Sequence, residues 1–141
     1  MADAMWFEFL HHLTMHFAIV LPLVFAALAT WALRQTRPPV IWRALRLGSL
    51  LALTSVIAAS ATGIGAAGLS GGETALEHHR YLGILALCIA LIAAASLEAG
   101  HRQPNQRLMR FGYYCWWIAA AASMATAHWG GLYTHPDLIP V

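Results

Sequence analysis

MWFEFLHHLTMHFAIVLPLVFAALATWALR, residues 5–34, decides how the chain is read. From Leu13 to Leu33 it carries no formal charge, and its only polar side chains are Thr14, His16 and Thr30. About 20 apolar residues rising 1.5 Å each cross a hydrocarbon layer of roughly 30 Å. The stretch therefore reads as a transmembrane helix with His11, His12 and His16 in its first turns. An ionisable side chain inside a membrane span points to function, because its burial in lipid is costly. The rest of the chain is read by asking what those imidazoles meet.

Composition places all 141 residues in one membrane class. Hydrophobic residues make up 60% and charged residues 10%, against about 25% charged in an ordinary soluble domain. All eight cations are arginine, and a net charge of +2 is too small and too dispersed for a nucleic-acid partner. Cys88 and Cys115 both lie in apolar runs and read as packing residues. No C-x-x-C-H occurs, which excludes covalent c-type haem attachment on motif grounds. The first residues lack a basic n-region, so the first helix reads as a permanent anchor rather than a signal peptide.

Four apolar segments follow, at about 6–34, 41–69, 74–98 and 107–132. Pro38-Pro39 breaks the first from the second. Gly68 to Gly72 separates the second from the third, where Thr74 and Glu77 have capping-box spacing. A loop at 100–106 with Pro104 and Asn105 precedes the fourth. Connections this short impose an up-down-up-down order. The expected fold is all-α: a single integral-membrane antiparallel four-helix bundle. Arg34, Arg37, Arg43 and Arg46 flank the first connection and Arg102, Arg107 and Arg110 the third, leaving Arg80 alone at the other end. The positive-inside rule then puts both termini on the periplasmic side of a bacterial inner membrane, which the chain crosses four times.

With that topology the histidines sort. His11, His12, His16, His78, His79, His128 and His135 fall in the periplasmic half, and only His101 lies elsewhere. His12 and His16 share a helix face, while His11 and His16 are about 140° apart. Adjacent His78 and His79 point to different faces, so one of them faces inward. Neutral imidazole is a good ligand for haem iron, zinc or copper, and imidazoles on facing helices of a bundle commonly hold haem. For any single one of them the alternative is an interhelical hydrogen bond. Six tryptophans fall mostly near the expected interfaces, as an aromatic belt would. Gly63-Ile-Gly65-Ala-Ala-Gly68 matches G-x-G-x-x-G, but it follows no strand, and the dinucleotide reading fails. These small residues let helices approach closely, or leave room for a flat macrocycle.

Three motifs carry a resemblance. They are His11-His-Leu-Thr-Met-His16-Phe17-Ala-Ile19, Glu77-His78-His79-Arg80-Tyr81-Leu82-Gly83, and Ala127-His128-Trp129-Gly130-Gly131-Leu132-Tyr133-Thr134-His135. Together they resemble a bacterial family of four-helix membrane domains, long labelled as of unknown function, that accompany planctomycete-type c cytochromes. The resemblance spans nearly the whole chain, and the 128-to-135 spacing is its most specific part. Ala18, Tyr81 and Pro136 depart from the family pattern, which has Pro, often Trp and often Gly there. The resemblance singles out His11, His16, His79, His128 and His135, with His12 and His78 as spares. It implies electron exchange with a c-type cytochrome.

The expectation is therefore a b-type cytochrome-like electron-transfer protein binding one or two haem b groups near the periplasmic face. His16 and His79 are the expected axial pair. His128, with His11 or His135, is the expected outer support or second-haem ligand set, and Arg80 the expected propionate contact. Its expected partners are the cytochrome or other membrane electron-transfer subunits, quinone, and lipid. Two alternatives stay open: a zinc or copper site at the periplasmic surface, and a structural small subunit of an electron-transfer complex. No nucleophile–base pair or phosphate loop marks a stand-alone enzyme; quinol oxidation with a histidine proton acceptor is the exception.

Overall fold

The structure is a computed structural model that describes residues 2–33, 39–67 and 74–134. These residues form four helices: α1 Ala2–Leu33, α2 Pro39–Ala67, α3 Thr74–Arg102 and α4 Gln106–Thr134. Each is 29 to 32 residues long. Sequential helices pack side by side and α4 closes on α1, so α1 and α3, like α2 and α4, lie on the diagonals. Helices α3 and α4 pack most intimately, α2 and α3 least.

What joins the helices is a seven-residue repeat of inward positions, more than half of them Gly, Ala or Ser, the spacing of knobs-into-holes packing. On α1 the inward positions run His11, Ala18, Phe25, Ala32. On α3 they run His79, Ala86, Ala93, Gly100. The antiparallel helices run the other way: Gly63, Val56, Ser49, Trp42 on α2 and Gly130, Ser123, Trp116, Met109 on α4. The bundle is thus a stack of four layers. In the third, Phe25 meets Trp116 edge to face at 5.3 Å, and Trp116 is fully buried. Ala26, Ala29, Ala52, Ala90 and Ala119, all 0% exposed, fill beside it. Alanine at these positions lets backbones approach closely, the usual way membrane helices gain packing energy.

The outer faces are apolar. Val20, Val24, Leu28, Leu47, Leu51, Leu85 and Ile92 are among many large hydrophobic side chains left exposed. Helices α1, α2 and α3 are long and apolar enough to cross a membrane, over Glu8–Ala32, Val40–Gly65 and Glu77–Arg102. Helix α4, equally long, falls short of that hydropathy: Tyr113, Tyr114, Trp116, Trp117, Ser123 and Thr126 dilute it. It is nonetheless rich in buried side chains.

Helix α3 runs one turn beyond its expected end at 98, through Gly100 to Arg102. Gly100 is a close-approach position rather than a breaker. A Cβ there would lie 2.6 Å from Met109 Cγ and 3.0 Å from its backbone nitrogen. The α3–α4 connection shrinks to residues 103–105, and Asn105 Oδ1 accepts from the backbone N–H groups of Arg107 and Leu108 at 3.1 and 3.2 Å. That is an N-cap satisfying two otherwise orphaned donors. The expected capping box at Thr74 falls on a side chain outside the described residues.

Candidate functional site

The first layer differs from the other three. It sets two histidines, His11 and His79, on one diagonal against two glycines, Gly63 and Gly130, on the other. The rings of His11 and His79 lie 5.8 Å apart between centres with their planes nearly perpendicular, although the backbones of their helices do not come close. Each imidazole is anchored to a flanking helix. His79 Nδ1 lies 2.8 Å from the Thr126 carbonyl of α4. His11 Nδ1 lies 3.2 Å from the Ala59 carbonyl of α2 and 3.3 Å from Thr62 Oγ1. A carbonyl only accepts, so both Nδ1 atoms donate, and in the neutral ring each Nε2 carries the lone pair. Outward Nδ1–H bonds of this kind fix the tautomer and orientation of metal-binding histidines.

The glycines hold the space. A Cβ on Gly63 would sit 2.9 Å from His11 Cε1, and one on Gly130 would sit 2.9 Å from His79 Nδ1. Thr62 also bonds Thr14 at 3.0 Å, tying α1 to α2 beside His11. Among the residues whose side chains are described, none of α1 before Ala18, α2 after Val56, α3 before Ala86 or α4 after Ser123 is buried. At the opposite end, burial extends to Ala32, Gly100 and Met109.

The remaining expected residues are elsewhere. His16 is exposed; it lies about 140° from His11 and roughly 7.5 Å further along the helix. Because His11 occupies the inward stripe, His16 is turned out of the bundle and is not brought to His79. His12 shares the exposed face of His16. His128 is exposed beside Trp129, at 6.5 Å, and exposed His78 stacks on the same Trp129 at 5.1 Å. Arg80 is exposed. His135 lies outside the described residues. His101 is in the last turn of α3, against Trp42 at 6.1 Å. Among the described residues no three His, Cys, Asp or Glu side chains cluster to hold a metal ion by themselves.

Gly63, Gly130, Thr62 and the two carbonyls were not among the expected site residues. Their signal was available in register: Gly63 and Gly130 stand two heptads from Ser49 and Trp116 on the same inward stripes.

The sequence matches no family model, and neither a curated protein nor a solved structure matches it.

Proposed function

We propose that this chain is a bacterial inner-membrane electron-transfer protein that holds b-type haem between His11 and His79. The observation that carries the proposal is the pairing itself: two imidazoles on diagonal helices, each anchored through Nδ1 to a carbonyl of a different neighbouring helix. His11 and His79 would hold the iron from two different helices, and their ring centres lie 5.8 Å apart. A donor set of two suits a metal whose other positions are filled by a macrocycle, whereas structural zinc asks for four protein ligands. The two glycines give each ring room against its flanking helix.

Haem iron held by two protein ligands takes up and releases single electrons. The residues of this chain position it and tune it. Hydrogen bonds to Ala59, Thr62 and Thr126 hold the rings and raise their basicity. Arg80, exposed at the same end, supplies a cation for a carboxylate of the bound group. Arg43, Arg46, Arg102, Arg107 and Arg110 lie at the opposite end, which supports a periplasmic histidine end. The resemblance of the three histidine motifs adds a c-type cytochrome as electron partner.

The test is substitution of each ring separately. His11→Ala and His79→Ala should each lose haem or turn it high-spin, while His101→Ala keeps a low-spin spectrum. A normal spectrum in either of the first two variants overturns the assignment.

A further inference from the structure

At the other end of the bundle, between the third and fourth layers, lies a cavity of about 300 Å³. Its floor is apolar, with Leu45, Leu97 and Met109, and Trp42 and Tyr113 offer it flat aromatic side chains. Its rim is polar. Arg46 Nη2 and Arg102 Nε both donate to Glu98 Oε1, at 2.7 and 2.8 Å. Ser49 also lines it and is only 5% exposed. Leu50, half exposed, forms part of the wall, so the cavity opens sideways between α2 and α3, the loosest interface of the bundle. Leu91, on the α3 face that carries Ala94 and Glu98, extends the apolar surface outward from that opening.

We infer that this cavity binds a quinone-type ring: flat, largely apolar, with carbonyl oxygens at its edge and an apolar tail. A pocket of this size, mostly apolar with a few convergent polar groups, is the ordinary form of a small-molecule site between bundle helices. The aromatic walls suit a planar ring. The Ser49 hydroxyl, on a residue only 5% exposed, is a donor for one carbonyl oxygen, and the Arg46 guanidinium at the rim is a donor for the other. The sideways opening lets a tail remain in lipid. A phospholipid phosphate fits less well, because Glu98 already neutralises one of the two rim arginines and the depth is apolar. The inference concerns binding alone, at the end remote from His11 and His79, and does not depend on the haem reading.

The test is a titration of the full-length protein in phosphatidylcholine nanodiscs with a short-chain benzoquinone, read by quenching of tryptophan fluorescence. The expected result is saturable, one-site quenching whose saturable part disappears in Trp42→Phe. Arg46→Gln, at an exposed side chain, should weaken it tenfold or more, and Ser49→Ala several-fold. His12→Ala, at an exposed side chain of the far end, should leave it unchanged. Helical circular dichroism confirms that each variant is folded. Linear, unsaturable quenching overturns the inference, as does saturable quenching indifferent to both Arg46→Gln and Ser49→Ala. Loss of quenching when phosphatidylglycerol replaces part of the lipid also overturns it, in favour of an anionic headgroup.

Discussion

Gly63→Ala separates the haem site from the fold. The new Cβ would stand 2.9 Å from His11 Cε1, whereas carbon atoms rest at about 3.5–4.0 Å, so the ring must retreat by roughly 0.6–1.1 Å. Metal–ligand bonds tolerate about 0.2 Å. The same retreat pulls Nδ1 away from Ala59 and Thr62, at 3.2 and 3.3 Å already near the limit of a hydrogen bond. Loss of such outer support costs about 10–100-fold in affinity, and displacement of the ligand itself adds to that. The apo-protein gains, because alanine is better than glycine within a helix by about 1 kcal/mol; the displaced ring offsets part of this. The assay pairs haem titration at the Soret band with thermal unfolding followed by helical circular dichroism. Haem affinity should fall at least tenfold while the unfolding temperature of the apo-protein changes by only a few degrees. Unchanged haem affinity would remove His11 from the ligand set. A collapse of apo stability would mean that the layer is packing rather than a site.

Other substitutions test the surrounding account. His16→Ala and His128→Ala should keep a six-coordinate spectrum, since both side chains are exposed; loss of haem in His16→Ala would restore the pairing expected from sequence. Trp116→Ala should destabilise the bundle by about 3–5 kcal/mol, as loss of a large core side chain does. Trp116→Phe should change it by about 1 kcal/mol or less. It removes apolar volume, but also the buried Nε1–H, which has no partner among the described residues. Unfolding titrations in mixed detergent micelles measure both. Gly100→Val should cost about 1–3 kcal/mol through overpacking against Met109, and stability equal to wild type would refute the close approach.

Much of the architecture is legible because it follows from gross chemistry. Pro38-Pro39, the glycine-rich stretch and the Pro104-Asn105 connection divide four apolar runs, and short connections leave few topologies. Depth along a helix is also legible, at 1.5 Å per residue. Rotation about the helix axis is harder to read, because these helices are apolar on all sides and the hydrophobic pattern marks no inner face. That is why His16, deep in an apolar run, stood out over His11. What does mark the inner face is residue size. Ala18, Phe25 and Ala32 step back by sevens to His11, and Ala86, Ala93 and Gly100 step back to His79. Gly100 misled for a related reason: read locally it ends a helix, but in three dimensions it admits Met109. The polar partners of the rings are harder still. Two are backbone carbonyls, which no side-chain pattern announces.

The measurement closest to the central claim is the absorption spectrum of the purified, dithionite-reduced protein. Haem held between two imidazoles predicts the sharp α-band of low-spin haem b, and acid-acetone should extract the pigment because no thioether bond retains it. A colourless protein containing stoichiometric zinc or copper, or no metal at all, would contradict the account.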